Sequence, residues 1–198
     1  MKRLALSLCA SLLLLCAGAA HADIIRYEAA LSGAAEDPPN ASPATGFTTV
    51  FIDDATNMMT VNASFSGLMG PTTASHIHCC TVDPFDGTAG VATSLPTFPA
   101  FPLGVTSGSY TEVFDLLNAS TYNINFINAN GGSVDSARLA LLAGLASGRA
   151  YLNIHTSAVR AGEIRGFLTE VPEPGSVMVF GIGVASLAML RRRRAYVR

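Results

Sequence analysis

Apolar and polar positions alternate with a period of two along most of the middle of this 198-residue chain. That alternation is the mark of strands with one buried face. It predicts strands from Ile24 to Leu31, Gly46 to Ile52 and Met58 to Phe65. Asp53-Asp54-Ala55-Thr56-Asn57 separates the last two, so they read as a hairpin. After a turn at Gly67-Leu68-Met69-Gly70-Pro71 comes a short strand, Ala74 to His78, and then a Gly/Pro/Thr-rich loop from Asp83 to Gly104. Tyr110 to Phe114 is a further strand, and Tyr122 to Ile127 is either extended or a short helix. The period changes at Val134 to Ala146. There Leu139, Leu142 and Leu145 among alanines predict a helix that ends at Gly148. Tyr151 to His155 and Glu163 to Leu168 close the series as strands. The sum is a mainly β domain, an antiparallel sandwich or barrel with one short helix. A parallel α/β fold is excluded because strands do not alternate with helices.

Both ends break the pattern. Met1-Lys2-Arg3, an apolar run from Leu4 to Ala20 and the closing Ala20-His21-Ala22 have the layout of a secretory signal peptide, a signal helix over residues 1–22. At the other end, Pro172-Glu173-Pro174 precedes an apolar run from Ser176 to Leu190 and the basic cluster Arg191, Arg192, Arg193 and Arg194. The prolines stop regular structure before the run. The run predicts a transmembrane-like helix, slightly shorter than the ~20 residues that span a bilayer comfortably. The arginines would hold its far end in the cytoplasm. Neither end counts as fold, which leaves residues 23–170 as the domain and 171–198 as a tail.

Charge narrows the function. Residues 23–171 carry five Arg and no Lys against thirteen Asp and Glu. An acidic body is a poor binder of nucleic acid. No Gly-x-Ser-x-Gly elbow, P-loop, His-Glu-x-x-His or dinucleotide fingerprint occurs in the sequence.

The chemistry-bearing residues are few. In His76-Ile77-His78 both imidazoles point to one face of a strand, and Asn153-Ile154-His155 repeats the arrangement. Neutral imidazole is the commonest metal ligand, so His76, His78 and His155 form a candidate Zn or Cu set if their strands pair. Structural hydrogen bonds to loop backbone are the competing expectation. Cys79 and Cys80 are the cysteines left once the signal is removed. In an oxidising exterior they would form a vicinal disulfide, pair between chains, or join His76 and His78 as ligands. Glu163 and Arg165 share a strand face and suggest an ion pair or a network with nearby loops; a catalytic pair would need a nucleophile the sequence does not offer. Glu36-Asp37 and Asp53-Asp54 read as solvated loop carboxylates, or as Ca²⁺ ligands.

These motifs fall in a recognisable order. Leu31-Ser32-Gly33, Glu36-Asp37-Pro38-Pro39, Ala44-Thr45-Gly46, Ser66-Gly67-Leu68, His76-Ile77-His78, Tyr151 to Thr156 and Gly162-Glu163-Ile164-Arg165-Gly166 together resemble the CHRD domain, named for chordin, from about Tyr27 to Leu168. Pro172-Glu173-Pro174 with its helix and Arg cluster resembles the PEP-CTERM sorting tail. The Cys-Cys step departs from the commoner family form, in which Gly follows His-x-His. The first resemblance implies a β-rich fold without a settled activity. The second implies a Gram-negative host and an exosortase that cuts near the tripeptide. The expected protein is exported past signal peptidase, anchored transiently in the inner membrane, and sorted to the cell surface or exterior. There it would be a non-catalytic binding or structural module, with an extracellular polymer or surface component as its partner. The alternative expectation is a Cu- or Zn-binding or redox domain built on the three histidines.

Overall fold

The computed structural model describes residues 24–172. The signal peptide expected over residues 1–22 and the sorting tail from Glu173 to the Arg cluster lie outside them. Eight antiparallel strands form one curled sheet: β1 Ile24–Ser32, β2 Thr45–Asp53, β3 Met58–Ser66, β4 Thr72–Cys79, β5 Gly108–Asp115, β6 Ala150–Thr156, β7 Ile164–Phe167 and β8 Thr169–Val171. The order across the sheet is β4-β6-β7-β1-β2-β3-β5, and β8 pairs with β1. Two α-helices stand between β5 and β6, α1 (Ile124–Ala129) and α2 (Val134–Ala146). Of the stretch Tyr122 to Ile127, Tyr122 is extended and bridges Thr93, and the short helix starts at Ile124.

The period-two pattern builds the long half of the sheet. In β1 to β3, Tyr27, Ala29, Leu31, Val50, Ile52, Met59, Val61 and Phe65 all turn inward. The β2–β3 hairpin closes at Asn57, whose φ of 55° is the left-handed geometry that Asn tolerates.

The other half, β4-β6-β7, is buried on both faces. Ile77, Leu152, Ile154 and Ile164 fill the core. The alternate residues, His76, His78, Tyr151, Asn153 and Arg165, are also buried, although they point the other way. Loops cover them: Ala89 and Pro96 of the β4–β5 connection and Ala35 of the β1–β2 connection make hydrogen bonds to this face. Pairing is continuous, with His76 opposite Asn153, His78 opposite Tyr151, and Asn153 opposite Arg165.

Cys79 sits on the core face with Ile77 and is disulfide-bonded to Cys80. Parity thus turns Cys79 away from the imidazoles, and the disulfide takes up both sulfurs, so neither cysteine joins the histidine cluster. Helix α2 starts with a capping box between Ser133 and Ser136 and packs Leu141 and Leu145 into the core. Its Gly144 lies against the disulfide, where a Cβ would fall on the sulfurs of Cys79 and Cys80.

That contact reverses an ordinary expectation. In an open helix Gly→Ala stabilises by about 1 kcal/mol. Here Gly144→Ala overpacks the disulfide and is expected to destabilise by about 1–3 kcal/mol. Denaturant titration of the oxidised variant beside the parent checks this, and a gain in stability would contradict the packing.

Candidate metal centre

Three imidazoles meet on the covered face of β4 and β6. His76 and His78 come from alternate positions of β4, and His155 follows Asn153 by two on β6. The ring centroids form a near-equilateral triangle, 5.9 Å from His76 to His78, 5.4 Å from His76 to His155 and 5.7 Å from His78 to His155. One nitrogen of each ring lies within 4.8 Å of the others.

Hydrogen bonding fixes each tautomer. His76 Nε2–H donates to Pro96 O at 2.8 Å, His78 Nδ1–H to Ala89 O at 2.9 Å, and His155 Nδ1–H to Arg160 O at 3.1 Å. A carbonyl only accepts, so these nitrogens carry the protons. The lone pairs are then on His76 Nδ1, His78 Nε2 and His155 Nε2, and all three nitrogens are buried without a donor among the described residues. An unmatched buried acceptor costs about 1–3 kcal/mol. Three such lone pairs facing one another form an arrangement that a single metal ion could accept. Burial also keeps the rings neutral. It pushes His76 and His78 down to about 4, and it lowers His155 as well. The charges of the neighbouring histidines and of Arg165 add to the effect at His78. Neutral imidazole is the form that binds metal.

The neighbours form a polar frame. Tyr151 stacks on His78 with centroids 4.9 Å apart, and its hydroxyl donates to Ala89 O at 3.2 Å. The Arg165 guanidinium lies 4.7 Å from the Tyr151 ring centroid and donates to Ala35 O at 2.5 Å and Gly87 O at 3.0 Å. Arg165 thus ties both covering loops to β7.

Glu163 and Arg165 do not pair with each other. Glu163 accepts from Ser42 Oγ and Met69 N at 2.7 Å each and from Thr156 Oγ1 at 2.5 Å. Burial alone would push its carboxyl up, but these hydrogen bonds hold it below the usual range. The network reading applies to Glu163, and the carboxylate facing Arg165 is Glu36, with Nε to Oε2 at 3.9 Å.

Glu36 corrects the expectation of solvated loop charges. Only 8% of it is exposed, while Asp37 is open to solvent. Burial pushes the Glu36 carboxyl up to about 7 against the opposing effects of Arg165 and of a 3.4 Å hydrogen bond from Asn153 Nδ2. Asp53 fits the loop reading, since its carboxylate caps Ala55 N and Thr56 N in the exposed hairpin. Tyr151 and Asn153 could have been placed in the site from the alternation around His155. For Glu36 no local signal exists, because its burial follows from Ser32 pairing with Arg165.

Comparison with known proteins adds two matches. The CHRD domain model matches residues 27–168, and the PEP-CTERM protein-sorting motif model matches residues 170–194. No curated protein and no solved structure matches the chain.

The depressed imidazoles set a pH dependence. Between about 6.5 and about 4 the unfolded chain binds protons that buried His76 and His78 refuse. Stability is therefore fully present above this window and falls as pH drops through it. Glu36 acts in the opposite sense, because its raised carboxyl takes up a proton in the folded state first. Metal-free protein is expected to lose stability on the order of a few kcal/mol over this range, and Glu36→Gln is expected to steepen the loss. Chemical denaturation with chelator across the window measures both slopes. A flat profile would mean the rings are not buried neutral.

Proposed function

The chain belongs to the CHRD domain family, and from that premise we propose that its domain is an exported metal-binding module holding one Cu or Zn ion through His76, His78 and His155. The PEP-CTERM protein-sorting motif marks the protein for export and for processing by an exosortase. Its place of work, in this reading, is the cell surface or the exterior, after the tail has held it for a time in the inner membrane.

One observation carries the metal. Three imidazoles, those of His76 and His78 buried and that of His155 half-buried, have their N–H groups held by backbone carbonyls, so that three lone pairs without a donor among the described residues are left within reach of a single ion. Orienting carbonyls of this kind are the usual outer support of metal-bound histidine. The donor set is all imidazole, which suits Zn and Cu and not Ca or Mg. Three ligands leave one coordination position for a small molecule. The proposal is binding of the ion, and it assigns no turnover.

The test is metal content by mass spectrometry on protein exported to a periplasm, with His76→Ala/His78→Ala/His155→Ala beside it. About one Cu or Zn per chain is expected in the parent and about none in the triple variant. A metal-free parent, with a variant that is merely less stable, would make the histidines structural. The reading would then revert to a module for a surface or an extracellular polymer.

A further inference from the structure

The covered face holds two more acceptors without donors, and both are oxygens. They are Asn153 Oδ1 and Glu36 Oε1, in side chains 3% and 8% exposed. The amide orientation follows from its other end, since Asn153 Nδ2 donates to Glu36 Oε2. Asn153 is the register partner of His76 and lies two residues before His155 on the same strand face. Cross-strand partners stand about 4.5–5.5 Å apart at Cβ, so the Asn153 amide is a direct neighbour of two of the three ligands. Glu36 accepts from the Asn153 amide, and Arg165 stands beside it.

Two orphan acceptors beside a three-imidazole centre lack the same thing, a group with two hydrogens to donate. Accepting the metal reading above, we propose that Asn153 and Glu36 are positioning residues for the fourth ligand of the metal, a water whose two hydrogens go to Asn153 Oδ1 and Glu36 Oε1. A metal-bound water is a strong donor, and hydrogen bonds from it to a carboxylate are of the charge-assisted class. The pair also decides which molecules can replace that water. An alcohol hydroxyl, with its single hydrogen, keeps one of the two hydrogen bonds. Anions bring only lone pairs to two oxygens that already lack donors. The open position therefore favours water first, an alcohol hydroxyl next, and anions least.

Azide is the probe. The full exported chain is loaded with Cu(II), its copper content is measured, and azide is titrated by the ligand-to-metal charge-transfer absorption. The parent is expected to bind azide weakly. Asn153→Ala and Glu36→Gln are expected to keep one copper per chain and to bind azide about tenfold more tightly each, since the water is held by one acceptor fewer. Glu36→Asp, which retains the carboxylate, is expected to return toward the parent. Equal azide affinity in parent and variants, with copper retained in all, overturns the positioning role and leaves the three-histidine site standing. A parent without copper overturns the metal reading and this inference together, and the copper measurement tells that failure from the first. Should Asn153→Ala not fold, Glu36→Gln alone decides.

Discussion

Three backbone carbonyls, those of Pro96, Ala89 and Arg160, each accept the single N–H of a neutral imidazole, and the site depends on where those carbonyls are held. Two belong to the β4–β5 connection and one to the β6–β7 turn. Were they water instead, each ring would be free to choose its tautomer and its angle. Fixed in place, they force every lone pair to one side. What looks like an unmet hydrogen-bonding need is the product of needs met elsewhere.

The covering loops are in turn held by buried charge. Glu163 gathers Ser42, Met69 N and Thr156, and so fastens two connections to the end of β6. Arg165 takes carbonyls from residues 35 and 87, one from each covering loop. Removing either charge would strand its partners away from solvent. The Gly-Glu-Ile-Arg-Gly segment is thus less a site than the clasp of a site. Its first glycine belongs to the same logic: Gly162 has φ +140° and lies against the Asn153 amide, where a Cβ would collide with Oδ1.

Much of this could be read from the residues. Alternation in β1 to β3 is strong because one face meets water, and the Asp53 to Asn57 turn is local chemistry. His76 and His78 share a face by parity alone. Other features follow only from distant contacts. Ser75 and Asn153 are 78 residues apart, and nothing near either one specifies that β4 and β6 are neighbours. Strands buried on both faces lose the polar-out signal, so β6 reads as an apolar stretch interrupted by Asn and His. Glu36 looks like a loop acid because its burial is imposed by β7. The three residues of β8 are too few to carry a period, and they are strand because Arg26, Tyr27 and Glu28 offer an edge.

That 78-residue span has a further consequence. A ligand that binds the folded state alone adds RT ln(1 + [L]/Kd) to its stability, about 1.4 kcal/mol for each tenfold rise in free ligand beyond Kd. An unfolded chain keeps His76 and His78 together but has His155 at coil distance, so it cannot offer the ion three imidazoles at once. The lifetime of such a domain against proteases would then track the trace-metal supply of its surroundings, and scarcity of the ion would read out as turnover of the protein.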